Sequence, residues 1–514
     1  MSIPLSSRLK DLCINNPLLN SFVDLEYIFS EVYSKFFFCE SKALSCRWVE
    51  TYLAEEVDGR DVVFGVKCCE KKLKFVTLLK FTKLFSMLST QDREAIIALI
   101  KREVVPAIGC TEPIAVSLCV AKATELLGSL PEKINVYLSA NILKNAMGVG
   151  IPATGMIGLP IAIALGALVG RSEYGLEVLK DANDKAVEQG RRYIDEKRIS
   201  IELKPAITEK LYIEVVAQGA DSQSVAIISG GHTSFVYLEQ AGEVLLDSRG
   251  EGAAQEAQQD VELTLRKVYD FAATSPLEEL EFILESKRLN KAAAEEAFSA
   301  EYGHSLGRML RREQEIKIMG DSIFSRILSY TASACDARMG GAKVPVMSNS
   351  GSGNQGITAT LPVVVYGEEC GASEEQMIRA LTLSHLAVIY IKQSLGRLSA
   401  LCGCVVAASG SSCGITYLMG GGYDEVAMAV KNMIANLTGM ICDGAKPSCA
   451  LKLASGVSTA LLSAMMAMEH RCVSKLEGII DEDVDRSIKN LTAIGREGMD
   501  ETDSLILDIM TSKC

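Results

Sequence analysis

Two long stretches of this chain, Asn145 to Gly170 and Leu398 to Tyr423, carry no charged residue. Uncharged chain of that length belongs either in a membrane or in a large interior. A spanning helix needs about 20 predominantly apolar residues. The first stretch contains Pro152 and Pro160 among glycines, and the second is mostly Gly, Ser, Ala and Cys. Only Met156 to Val169 approaches the required density, and it is too short. Buried helices are therefore expected. The 514 residues provide interior enough for roughly two to four domains.

Charge narrows the partners. With 52 basic and 65 acidic side chains the net charge is −13, and no basic tract occurs. Nucleic acid and membrane are not expected as partners. The opening Met-Ser-Ile-Pro-Leu-Ser lacks the charged and apolar regions of a secretory signal. A cytoplasmic protein with reduced thiols is expected, its cysteines kept for reactivity or metal. A homo-oligomer is compatible with the helix-rich composition.

Residues 1–86 differ from the rest. They hold the only tryptophan (Trp48), the Phe36-Phe37-Phe38 run and the Cys68-Cys69 pair, with no clear period. They read as an atypical extension, either a small accessory domain or, preferably, sequence upstream of the true start. From Ser89 the pattern is regular. Ser89 or Thr90 caps a helix with Ile96, Ile97, Ile100 and Val104 on one face, ended by Pro106 and Gly109. A second helix runs from near Pro113 to Gly128, and Ile134 to Ala140 alternates like a strand. Helices are expected over about 154–170 and 175–195, then strands at 199–203, 211–217 and 224–238, the last a hairpin around Gly230-Gly231. Beyond residue 250, helical periodicity alternates with glycine-rich breaks. The expected class is α+β and helix-rich, with a small mixed or antiparallel sheet domain over 87–250 and a mainly helical domain over 251–514.

Cys402, Cys404, Cys413, Cys442 and Cys449 cluster in the last third, each at an expected break between helices. Loop thiols there suit a metal cluster, because they can converge while backbone N–H groups donate to sulfur. Any one of them alone reads more readily as a small buried hydrophobe; the group reads as cluster ligands. No CxxC pair occurs, which excludes a zinc ribbon, and no ferredoxin-type run is present. A separate thiol, Cys110, lies in Gly109-Cys110-Thr111-Glu112-Pro113. If Thr111 caps the helix after it, Cys110 sits before a positive helix end that lowers a thiol pKa. It would then be a general base or nucleophile; otherwise it is a turn cysteine.

The most polar glycine loop is Ser348-Asn349-Ser350-Gly351-Ser352-Gly353-Asn354-Gln355-Gly356. Its GxGxxG spacing is not a dinucleotide site, because Pro362 interrupts the segment after it and Glu368 comes too early. It is similar to the carboxylate loop of fold-type II pyridoxal phosphate enzymes, but no Schiff-base lysine motif accompanies it. Its N–H groups and hydroxyls form a nest for a carboxylate. Of four histidines, only His232, beside Gly230-Gly231, draws attention.

Together the Cys110 motif, the Met339-Gly340-Gly341 to Gly356 segment and the late cysteines resemble the L-cysteine desulfidase family, relatives of the iron–sulfur L-serine dehydratase alpha chain. The likeness runs from about Met87 to the C-terminus. It implies a [4Fe–4S] cluster held by Cys402, Cys442 and Cys449 with one iron open, Cys110 as the catalytic base, and a substrate carboxylate held by Thr111, Ser348, Asn349, Ser350, Gly351 and Asn354. Cys404 and Cys413 are left without a role, Cys404 being the rival to Cys402. The resemblance implies elimination of hydrogen sulfide from L-cysteine, leaving pyruvate and ammonia. An L-serine dehydratase or a non-catalytic iron–sulfur sensor are the alternatives. Cys514, a C-terminal thiol with a free carboxylate, is either an internal inhibitor or a frayed end.

Overall fold

The computed structural model describes residues 49–57, 61–68, 88–205, 207, 209–249, 261–396 and 399–512. Trp48, the Phe36-Phe37-Phe38 run and Cys514 lie outside the described residues. Residues 1–87 and 88–514 are two compact units. In the first, β1 (Val49–Val57) pairs antiparallel with β2 (Asp61–Cys68).

The second unit opens with α1 (Thr90–Glu103). Ser89 accepts the Asp92 amide at its start, and Lys101 and Arg102 complement its negative end. Its buried face, Ile96, Leu99 and Ile100, joins the core of the later helices rather than that of the sheet. β3 (Pro106–Ile108) leads into α2 (Thr111–Leu127). Next come β4 (Lys133–Leu138), α3 (Ala140–Ala146), α4 (Leu159–Leu168), α5 (Asp184–Asp195) and β5 (Ile199–Leu203). β6 (Tyr212–Gln218), β7 (Gln223–Ser229), β8 (Phe235–Gln240) and β9 (Glu243–Asp247) complete a six-stranded sheet of order β5-β4-β6-β7-β8-β9. Only β4 and β5 are parallel, so the sheet is mixed. Along β6 the residues Ile213, Val215 and Ala217 alternate inward and pack with α2 and α4 in a core of their own.

Among the described residues, the remaining chain is helical apart from one strand. α6 (Leu265–Thr274), α7 (Leu284–Ser299), the short α8 (Leu306–Met309) and α9 (Glu313–Met319), and α10 (Ile323–Met339) precede β10 (Pro345–Met347). After it come α11 (Gly353–Glu369), α12 (Glu374–Leu395), α13 (Gly403–Leu418), α14 (Tyr423–Leu437), α15 (Cys449–Met468), α16 (Val484–Ala493) and α17 (Asp500–Thr511). The class is α+β and helix-rich, as the sequence led us to expect.

Several local expectations fail for one reason: small residues can mark close packing as well as chain breaks. The expected break at Gly410-Ser-Ser-Cys413-Gly414 is the middle of α13. A Cβ at Gly410 would stand 2.5 Å from the Ser384 carbonyl oxygen, and one at Gly414 2.8 Å from that of Ala380. These glycines let α13 press onto α12. Pro362 likewise lies inside α11 rather than ending it. The expected helix over 175–195 covers only α5, preceded by a 3-10 turn over Ser172–Glu177. Among the described residues, one helix, α15, is long and apolar enough to cross a membrane by length and composition; half of its most apolar window is buried in the protein.

The element that positions the site is small. β10 pairs antiparallel with β3, Met347 opposite Pro106 and Pro345 opposite Ile108. Buried Asn290 on α7 holds this ribbon from behind, accepting the Met347 amide at 2.8 Å and donating to the Gly356 carbonyl at 3.2 Å and to Thr360 Oγ1 at 2.9 Å. The first turn of α11 lies so close to β10 that a Cβ at Gly356 would stand 1.9 Å from the Met347 carbonyl oxygen. Because the obstacle is backbone, Gly356→Ala should destabilise the protein by about 1–3 kcal/mol or more. A clear fall in the thermal midpoint is expected; an unchanged midpoint contradicts this account of the contact.

Candidate functional site

The β3–β10 ribbon brings two distant segments side by side. Ser348 donates from both its amide and its hydroxyl to the Val105 carbonyl, and the Ser350 amide donates to that of Glu103 at 3.0 Å. The chain then reverses tightly over Asn349 to Ser352, with Ser350 and Gly351 both at positive φ, 48° and 79°. Beside it, β3 delivers Cys110 to the start of α2. One cavity of about 160 Å³ takes its walls from Cys110, Glu112, Ser350, Gly351, Asn354, Gln355 and Arg338, and on its other side from Cys402, Cys404, Cys442 and Cys449.

Three residues expected at the carboxylate do not line this cavity. Ser348 spends its hydroxyl on Val105. Asn349 donates its amide to the ring and carbonyl of His385, at 3.1 and 3.0 Å. Thr111 is the first helical residue rather than the cap, since Cys110 holds the N-cap position. The Thr111 hydroxyl lies 3.1 Å from Glu112 Oε2 and 3.3 Å from the Gly351 carbonyl, tying α2 to the loop. All three support the loop from behind, whereas Ser350, Gly351 and Asn354 face the cavity. His232, at the β7–β8 turn, lines it too.

The thiol of Cys110 is not in the state the sequence led us to expect. It is buried, makes no side-chain capping bond, and donates to Glu112 Oε2 at 2.9 Å. Burial, then the Glu112 charge, push this thiol well above its ordinary range, and Arg338 opposes them only in part. The helix end is outweighed by desolvation and by a neighbouring carboxylate. Glu112 is held the other way. Burial pushes its carboxyl up, but His232, the bond from Cys110, a backbone N–H and Arg338 together keep it below its usual value. Its other oxygen accepts from Asn145 at 3.3 Å.

Arg338 was missed by the sequence reasoning, although it directly precedes Met339-Gly340-Gly341. It is 2% exposed, and no acidic side chain pairs with it among the described residues. Nη1 donates to Asn354 Oδ1 at 3.0 Å, while Nε has no hydrogen-bond partner among the described residues. The guanidinium lies over Gly353, where a Cβ would stand 2.2 Å from Nε. Two further buried atoms in the cavity wall, Asn141 Oδ1 and Gln355 Oε1, also lack partners among the described residues. Unsatisfied polar atoms in a cavity wall are costly unless a polar ligand meets them.

On the cysteine side, the Cys402 amide donates to the Met440 carbonyl and that of Cys442 to the Ala400 carbonyl, an antiparallel bridge that sets the two thiols together. Cys402 caps α13 and Cys449 begins α15. Burial and then the neighbouring Cys442 push the Cys402 thiol up to about 12. Burial and Cys442 raise Cys449 as well, although Lys446 and Lys452 oppose them. Thiols that resist joint ionisation in this way call for a cation's charge, so the donor set fits a metal cluster. Among the described residues no three His, Cys, Asp or Glu converge on a single ion; the thiolates of a four-iron cluster bind different corners and need not converge. Cys404 also lines the cavity, but its Sγ donates to the Lys452 carbonyl at 3.1 Å and lies against Gly456 of α15. Cys413 is fully buried and donates to the Ser409 carbonyl of its own helix. Cys335, missed from the sequence, stands close enough to Cys449 and Cys404 for their charges to raise its pKa, after burial.

A family model described as serine dehydratase alpha chain matches residues 173–508. The chain is 71% identical to a UPF0597 protein of Bacteroides fragilis over 426 residues, 83% of this chain and all of that protein. It is 70% identical to a UPF0597 protein of Bacteroides thetaiotaomicron over 422 residues, 82% of this chain and 98% of that one. A UPF0597 protein of Oleidesulfovibrio alaskensis is 44% identical over 418 residues, 81% of this chain and 97% of that one.

The loop's dependence on His385 has a measurable consequence. His385 is fully buried between Asn349 and Thr360, and burial lowers its pKa from 6.5 to about 3. The unfolded chain therefore takes up the proton first as pH falls. This stability, up to a few kcal/mol, is fully present above pH 6.5 and is lost progressively toward pH 3. In His385→Gln the thermal midpoint should fall less over that window than in the wild type.

Proposed function

The chain belongs to the serine dehydratase alpha chain family, and on that premise, which makes it a dehydratase-type lyase, we propose that it eliminates hydrogen sulfide from L-cysteine. The organic product, aminoacrylate, hydrolyses to pyruvate and ammonia. One observation carries the reading: Cys402, Cys442 and Cys449, the thiol–carboxylate pair and a buried arginine with no acidic partner among the described residues share one cavity.

Cys402, Cys442 and Cys449 are the residues that hold a [4Fe–4S] cluster in this reading. Such a cluster, with one iron not bound by cysteine, supplies Lewis-acid assistance to the departing sulfur. The rest is the work of the chain. Arg338 and the turn at Ser350 to Asn354 take the substrate carboxylate, the guanidinium giving charge and the turn direction. Cys110 receives the α-proton across the cavity, where fixed proximity replaces a bimolecular encounter. Asn141 and Gln355 offer acceptors to the substrate ammonium. A second reading, elimination of water from L-serine, is favoured by the description of the matching family.

The deciding experiment is anaerobic turnover of L-cysteine and L-serine side by side, with pyruvate and sulfide both quantified. Equal pyruvate and sulfide from cysteine, lost in air, is the expected result. Pyruvate from serine alone selects the second reading, and no product from a protein that retains iron and sulfide makes it a sensor. Two variant sets sharpen the assignment. Cys402→Ser, Cys442→Ser and Cys449→Ser should each lower bound iron, whereas Cys413→Ser should not. Arg338→Gln should raise KM by about 10–100-fold, the worth of a charged hydrogen bond, with iron content unchanged.

A further inference from the structure

Among the described residues, three side chains lie within hydrogen-bond distance of Glu112. Oε2 accepts from Cys110 Sγ at 2.9 Å and from Thr111 Oγ1 at 3.1 Å, and Oε1 from Asn145 Nδ2 at 3.3 Å. The other charged or titratable groups facing it are His232, from the β7–β8 turn, and Arg338, from α10. Asn145 Nδ2 can only donate, and, against burial, His232, the Cys110 bond and Arg338 hold the carboxyl below its usual pKa, so it is ionised at neutral pH. Of the three side chains that donate to it, Thr111 and Asn145 cannot release a proton. Cys110 can. The thiol's one other acceptor is the Asn145 carbonyl, at 4.0 Å. The pair is buried in the cavity wall, and Glu112 is the acceptor closest to the thiol.

We propose that Glu112 is the proton acceptor that converts Cys110 from thiol to thiolate for the elimination. The inference rests on the proposed role of Cys110 as receiver of the α-proton. The S–H bond of Cys110 breaks and an O–H bond forms on Glu112 Oε2, leaving the electron pair on Sγ. The thiolate then takes the substrate α-proton. The Cα–H electron pair becomes the Cα=Cβ double bond, and the bond from Cβ to the leaving group breaks with its pair on that group. Cys110 is again a thiol, and the proton held by Glu112 leaves with the departing group. No oxidant or reductant is involved. Glu112 acts first through Cys110 and then, by giving up its proton to the departing group, on the reacting atoms themselves. This also accounts for a base that is not poised by its surroundings: the charge moves along one short hydrogen bond within the pair instead of being held on sulfur at rest.

The test uses the full-length, cluster-loaded protein. The S–H infrared band of Cys110, isolated as the difference between wild type and Cys110→Ser, reports its acceptor without requiring turnover. In Glu112→Gln this band should move to higher frequency, as a charged acceptor gives way to a neutral one. The pH profile reports the transfer. Wild-type turnover should be flat through neutral pH. In Glu112→Gln it should be depressed at neutral pH and rise about tenfold per pH unit, because the thiol must then ionise to solvent. Glu112→Asp should recover part of the flat profile. An unmoved band overturns the pairing. A moved band with a flat profile in Glu112→Gln overturns the proton transfer. Full turnover by Cys110→Ala, with its cluster spectrum intact, overturns the role of Cys110 itself and with it this step, while the band shift still reports the hydrogen bond.

Discussion

The site depends on a three-residue ribbon. β3 and β10 are brief, yet their pairing sets Cys110 beside a loop some 240 residues later in the chain, with the Thr111 hydroxyl 3.3 Å from the Gly351 carbonyl. Each strand leads directly into a helix that begins at the cavity, α2 after Cys110 and α11 after the Ser352 turn. The ribbon therefore aligns two helix starts, and their unpaired N–H groups, on a common space. Neither core alone could do this. α2 belongs to the sheet core and α11 to the helical one. The cavity lies where the two meet, with the short antiparallel pair as its hinge pin.

Electrostatics within the cavity are set by what burial permits. The ionised Glu112 and the guanidinium of Arg338 face a common space without touching, each modifying the thiol between them. Opposite the pair stand three cysteines flanked by Lys446 and Lys452, both bound to Asp443. The overall acidity of the chain has no part in this arrangement. A handful of charges inside a low-dielectric space outweighs many in water.

Much of the fold was legible in the sequence. The cap at Ser89, the strands around the Gly230-Gly231 turn and the crowding of cysteines in the last third depend on local pattern, and local pattern is what a sequence displays; the choice of Cys402, Cys442 and Cys449 among them came from the family resemblance. The failures have tertiary causes. Gly410 and Gly414 read as a break because their helix partner, α12, is invisible in one dimension. Ser348 and Asn349 are polar residues in a polar loop, and only the surrounding structure shows that Val105 and His385 already occupy them. Arg338 passed unnoticed because nothing in its own neighbourhood signals that a charged residue is buried without a counter-ion. Glu112 was in plain view inside the Cys110 motif. Its position in a first helical turn invited an explanation by the helix dipole, and that hid its contact with the thiol two residues earlier.

The contact between Gly356 and the Met347 backbone leaves the loop no second place to stand. Held by Asn290 behind, by Val105 and Glu103 on one side and by His385 below, the turn adopts its left-handed residues whether or not anything is bound. The conformational entropy of ordering it is surrendered when the protein folds, not when a ligand arrives. A small molecule with few atoms to contribute can then be bound tightly enough to react, because almost none of its interaction energy is spent on arranging its host.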